Sequence, residues 1–136
     1  MAEPKIAEEV AESEFERFAL EMDLDTNTEK MSEDRLAAFT ELRRVAVRAL
    51  MRGSLVIDDG GQAVFTPQYD KDTKPLTFFA SDGTVLSSMD KKKESEPVAK
   101  KYTAMGAITK TSAARFNAMD TRDLKVCQAL YLLFLA

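Results

Sequence analysis

Apolar residues recur along this chain in two rhythms, one helical and one extended. Ile6, Val10, Phe15, Phe18 and Met22 follow one another at intervals of four, five, three and four residues, with glutamates between them. That spacing predicts an amphipathic helix over residues 6–24. The polar run Asp23–Lys30 predicts a hinge. Ser32 then stands as an N-cap ahead of Glu33 and Asp34, acids placed where the amide end of a helix favours them. Leu36, Phe39, Leu42, Ala46, Ala49 and Leu50 form the stripe of a second helix, and Gly53 supplies the left-handed residue that ends it.

The rhythm then shortens. Leu55-Val56-Ile57 and Ala63-Val64-Phe65-Thr66 flank Asp58-Asp59-Gly60-Gly61, which predicts a β-hairpin stopped by Pro67. After the polar loop Gln68–Lys74, Pro75 opens a third strand through Phe79. Three short strands need a helix over their apolar face. The last third returns to helix. Ser81-Asp82-Gly83 begins a short one through Val85, Leu86 and Met89, and the charged run Asp90–Glu96 breaks it. Ser95 caps the next, with Pro97 near its first position and Val98, Tyr102, Met105 and Ile108 on one face. Thr111 or Ser112 opens a short helix with Ala113, Phe116 and Met119. Asp120 or Thr121 caps the last, whose apolar positions are Leu124, Cys127, Leu130, Tyr131, Phe134 and Leu135. The expected fold is α+β, mainly helical, with a small antiparallel sheet made of a hairpin plus a third strand and an N-terminal amphipathic helix.

Charge divides the chain. Residues 1–30 hold ten acidic residues against Lys5, Arg17 and Lys30, a net −7, while the remaining 106 residues carry +3. Two units are therefore expected: an acidic arm over 1–30, mobile in this reading, and a single α+β domain over 31–136. The arm either stays apart, folds back onto the body or meets a basic partner. Its acidity argues against general affinity for nucleic acid. The acidic start does not resemble a targeting segment, and Ala129–Ala136 falls far short of the ~20 apolar residues that span a bilayer. The expected location is cytoplasmic.

Composition removes most catalytic chemistry. The 136 residues include no His, no Trp and one Cys. The commonest general base and metal ligand is therefore missing, and a lone thiol makes neither an intramolecular disulfide nor a thiolate zinc cage. Cys127 lies in an apolar run that suits an inert buried thiol. Asp58-Asp59-Gly60-Gly61 resembles part of a calcium loop but lacks the downstream Glu. The glycines are not followed by the Gly-Lys-Ser/Thr of a phosphate loop. No enzymatic activity, metal or cofactor is expected.

Two surfaces are candidates for binding. Arg44, Arg48 and Arg52 recur every four residues on the polar side of the second helix, as a solvated face, a phosphate-binding stripe or a seat for the acidic arm. The final helix is apolar on most faces, so it is either central to the core or covered by another chain. In the second case Tyr102, Met105, Leu124, Leu130, Tyr131 and Phe134 form a partner-binding groove. The seven Met residues either adapt that surface or fill the core.

Certain short motifs resemble a known family. They are the strand Pro75–Phe79, the run Asp82-Gly83-Thr84-Val85-Leu86-Ser87-Ser88-Met89-Asp90, and Phe116-Asn117-Ala118-Met119-Asp120-Thr121-Arg122-Asp123-Leu124 leading into the apolar end. With the helix end and hairpin of Arg43–Phe65, they resemble the small tail assembly chaperones of tailed bacteriophages, encoded just before the tape-measure protein. The resemblance covers residues 32–136 and leaves residues 1–30 without a counterpart. It implies binding to the tape-measure protein, tail-tube subunits or both during tail morphogenesis in the host cytoplasm, and it carries over no catalytic residue. The alternatives are a phage structural or connector subunit in a homo-oligomeric ring, and a nucleic-acid-binding regulator using the arginine stripe.

Overall fold

A computed structural model describes residues 6–24, 27–79 and 97–134. The elements run α1 (Glu8–Glu21), a 3-10 turn (Thr28–Lys30), α2 (Glu33–Arg52), β1 (Leu55–Ile57), β2 (Ala63–Phe65), β3 (Leu76–Phe78), α3 (Pro97–Thr109), α4 (Ala113–Ala118) and α5 (Thr121–Phe134). The expected helix over residues 81–89, the break at 90–96, the Ser95 cap and the side chains of Val98 and Phe134 lie outside the described residues. The fold is α+β and mainly helical, with one three-stranded antiparallel sheet.

The second helix is bounded as its sequence dictates. The Ser32 hydroxyl accepts a hydrogen bond from the Arg35 amide, and Gly53 ends the helix at φ 81°. The strands then pair in the order β1-β2-β3. Their register aligns Leu55, Phe65 and Leu76 in one row and Ile57, Ala63 and Phe78 in the next, and all six are buried. Val56, Val64 and Thr77 point to the other face, the alternation that a half-buried sheet requires. The Phe79 amide donates to the Ile108 carbonyl at 3.1 Å, tying the end of β3 to the end of α3.

The hairpin turn supplies its own hydrogen bonds. Asp58 Oδ1 accepts from the Gly60 and Gln62 amides at 3.0 and 2.9 Å. Gly61 adopts φ 81°, and a Cβ there would lie 2.4 Å from Glu21 Cγ, so both backbone conformation and space call for glycine. The turn is thus pressed against the end of α1.

This contact corrects the picture of a mobile acidic arm. Phe15 and Phe18 are fully buried, with Ala11 and Ala19 beside them, and Phe15 stacks at a tilt on Phe39 with ring centroids 6.5 Å apart. Burying the two rings is worth roughly 1.5–3 kcal/mol each. Arg17 fixes the orientation, its guanidinium donating to the Ile57 and Asp58 carbonyls at 2.7 Å each. The Ile6 amide reaches the Met51 carbonyl, which sets α1 antiparallel to α2. The buried stripe is Ala11, Phe15 and Phe18, with Met22 partly buried, at intervals of four, three and four. Val10 sits about 100° away from Ala11 around the helix and is half exposed. Leu36, expected in the α2 stripe, is also exposed, and burial along α2 begins at Phe39.

The final helix resolves the other open choice. Val126, Cys127, Ala129, Leu130, Tyr131 and Leu133 are buried, packed with α2 and α3 in one core. Asp120 caps α5, its Oδ1 accepting the Arg122 amide at 2.9 Å. Asp123, in the first turn, is 2% exposed. Its carboxylate accepts the backbone amides of Gln68, Tyr69 and Asp70 at 2.9, 2.9 and 2.7 Å. Asp70 returns the contact through the Asp120 amide at 3.2 Å, and Arg122 lies over the Tyr69 ring at 3.9 Å. The loop between β2 and β3 is therefore bound to the start of α5. Replacing Asp123 with Ala strands three amides and is expected to cost about 2–4 kcal/mol in urea unfolding, whereas the exposed neighbour change Arg122→Ala costs well under half of that.

Candidate partner-binding surface

Antiparallel packing of α1 on α2 leaves a cleft along one side of the pair. Glu8, Glu12 and Glu16 recur every four residues on α1, so they align along one wall. Arg43, Arg44 and Arg48 of α2 form the other wall. Phe15, Phe39, Val47 and Met51 lie between them, and the cleft encloses about 710 Å³. Arg43 reaches across, with Nη1 3.6 Å from Glu12 and Nη2 3.6 Å from Glu16. Its guanidinium also stands 5.4 Å from the centre of the Phe15 ring. Arg44 is held by its own helix, Nε donating to Glu41 at 2.9 Å. That hydrogen bond keeps the Glu41 carboxyl below its ordinary range and the Arg44 guanidinium above its own.

The expected arginine stripe is thus divided. Arg44 and Arg48 border the cleft, whereas Arg52, exposed in the last turn of α2, does not line it. The seat for the acidic helix is Arg43, which the four-residue spacing of the stripe passes over. The signal was present: Arg43 lies four residues from both Phe39 and Val47, on the flank of the buried face. A cation there meets whatever packs on that face, here a helix with glutamates at matching intervals.

A second groove lies where the start of α2 passes the end of α5. Met31, Arg35, Ala38, Phe39, Glu41, Leu42 and Leu132 line about 390 Å³, and nearly all the surface it presents is carbon.

The groove expected from Tyr102, Met105, Leu124, Leu130, Tyr131 and Phe134 is closed at the five of these whose side chains are described. Met105, Leu130 and Tyr131 are core residues, and Tyr102 and Leu124 are half-buried against that core. The apolar run is wrapped on most sides by α2 and α3, which leaves Leu132 as its exposed large side chain among the described residues. The methionines follow the same pattern. Met105 and Met119 are buried and Met22, Met31 and Met51 are partly buried, Met31 facing the second groove.

Burial also governs the reactive groups. Cys127 is fully buried, 3.8 Å from Met119 Sδ, and desolvation with the nearby Asp123 charge pushes its thiol far above the ordinary cysteine range. Among the described residues no group of three or more His, Cys, Asp or Glu is placed to hold a metal ion, and no helix is long and apolar enough to cross a membrane. Comparison with family models, curated proteins and solved structures finds no match.

The raised thiol has a direct consequence. At pH 8–9 a free cysteine is partly thiolate, while Cys127 stays protonated and enclosed. In the native protein alkylation by iodoacetamide is expected to be at least about a hundredfold slower than in urea, and its rate should follow the unfolding equilibrium across a denaturant series.

Proposed function

We propose that this chain is a non-enzymatic assembly chaperone that holds a helical segment of another protein in the α1–α2 cleft. In its most specific form the partner is the tape-measure protein of a tailed bacteriophage, as the sequence resemblance implies. The observation that carries the reading is the pairing of an acidic and a basic wall over an apolar floor. A helix with an apolar stripe flanked by basic residues on one side and acidic residues on the other is complementary to it in both charge and hydrophobicity. As the resemblance implies, a tape measure awaiting its sheath of tube subunits is a long helical chain with apolar stripes exposed.

Two further features support this reading over the alternatives. Cys127, the one soft nucleophile, is enclosed in the core. Of the three arginines of the stripe, Arg48 faces the glutamates across the cleft and Arg44 is bonded to Glu41, which leaves Arg52 alone outside it and disfavours a continuous phosphate-binding stripe.

The test is co-expression with the tape-measure protein of the same gene cluster, followed by size-exclusion chromatography of the soluble fraction. The tape measure should be insoluble alone and co-elute with this chain. Reversing both walls through the exposed residues, Glu8→Lys with Arg48→Glu, should reduce co-elution about tenfold, the effect of roughly 1.4 kcal/mol, while leaving the thermal melt in place. If the tape measure stays in the pellet and this chain elutes alone, the reading is wrong.

A further inference from the structure

The apolar row that α2 turns toward α1 is interrupted by a charge. Phe39, Arg43, Val47 and Met51 follow one another at four-residue intervals, so they share one side of the helix, and all four line the cleft. Phe39 and Val47 are buried and Met51 is partly buried. Between them Arg43 crosses to Glu12 and Glu16, with its guanidinium beside the Phe15 ring. The apolar floor is thus divided, with Phe39 on one side of the arginine and Val47 with Met51 on the other.

Helix packing does not call for an arginine at this position. A methionine there would join Phe39 to Val47 and cover Phe15 without desolvating a charge. The ion pairs return little. Both are 3.6 Å long, beyond hydrogen-bond length, and Glu12 and Glu16 are 42% and 60% exposed. The anchors of α1 are Phe15, Phe18 and Arg17. A guest helix changes the balance. Its lysines can take over Glu12 and Glu16, and its carboxylate can engage Arg43 in the forked geometry that the two loose pairs lack. A guest with an apolar stripe alone meets a floor crossed by a charge that it cannot pair. Arg44 is bonded to Glu41 and Arg48 lies further along the wall, so the charge across the floor is that of Arg43.

We infer that Arg43 is the specificity-determining residue of the α1–α2 cleft, exchanging its pairs with Glu12 and Glu16 for a carboxylate on the flank of the bound helix. The inference rests on the reading of the cleft as a helix-binding site. It adds that the guest carries an acidic residue beside its apolar stripe where it crosses the middle of the cleft.

Two synthetic helices of about 18 residues, or about five turns, test this against the full chain. Both carry a leucine stripe with lysines on one flank; the other flank holds glutamates in the first helix and glutamines in the second. By fluorescence anisotropy the natural chain should bind the glutamate helix about tenfold more tightly. Arg43→Met removes the charge but keeps an apolar cover over Phe15, so the preference should fall to about twofold or less, with the glutamine helix bound at least as well. Arg43→Lys, which keeps the charge but not the fork, should fall between the two. Arg48→Gln should retain at least about half of the preference. The melting temperature of Arg43→Met should lie within about 5 °C of the natural chain, which separates the reading of charge from the support of α1.

A preference that survives above about twofold in Arg43→Met overturns the inference, as does a larger fall in its melting temperature or a natural chain that binds both helices alike. In each of these outcomes the glutamate helix still binds the natural chain, and the helix-binding reading of the cleft stands. A natural chain that binds neither helix overturns both.

Discussion

A carboxylate with 2% of its surface exposed has to be matched by hydrogen bonds, and Asp123 is matched by three consecutive backbone amides. This constraint organises the second half of the molecule. The loop after β2 cannot leave the start of α5 without stripping hydrogen bonds from a buried charge. Loop and helix are joined a second time through Asp70 and the Asp120 amide. Arg115 of α4 closes the same loop from the far end, donating to the Lys74 carbonyl and lying 3.5 Å from Asp72. With its N-terminus fixed beneath the sheet's connecting loop, α5 can lay an almost wholly apolar face against α2 and α3. The ion pairs Arg17–Glu14, Arg44–Glu41 and Arg122–Asp120 involve at least partly exposed side chains and contribute far less.

The first half is held by a different balance. Opposite charge suggests that the acidic helix is an electrostatic passenger on α2, but the distances argue otherwise. Arg43 approaches Glu12 and Glu16 only to 3.6 Å, with all three side chains partly exposed. Phe15 and Phe18 are enclosed, and the two Arg17 hydrogen bonds reach main-chain carbonyls that salt does not neutralise. Hydrophobic burial anchors α1, and its charge is left over to shape the cleft.

The same distinction explains which features the sequence made legible. The limits of α2 could be read because Ser32 and Gly53 act locally, through one side-chain oxygen and one left-handed φ. The hairpin could be read because alternation and an Asp-Gly turn are also local. Asp123 carried no signal of its role, since its partners lie more than fifty residues away and are main-chain amides with no sequence signature. The apolar run of α5 was equally ambiguous. Burial within the chain and burial against another chain require the same residues, and only the placement of α2 and α3 decides between them. Val10 falls outside the buried stripe, and Arg43 rather than the spaced arginines meets α1, for a related reason. The buried stripe of a helix is set by what packs on it, and in α1 that stripe runs through Ala11, which leaves Val10 a quarter-turn or more away and half exposed.

The two surfaces are not independent, because both are built on α2. Glu41 lines the groove beside α5, and Arg44 lines the cleft between α1 and α2. The hydrogen bond between them spans the ridge that separates these surfaces. Arg44 is turned toward Glu41, which neutralises part of the basic wall. A charged pair exposed on the outside of a helix adds little to stability. Its position between the two hollows gives it a different use: it holds Arg44 back against its own helix and so sets how much positive charge the cleft wall presents.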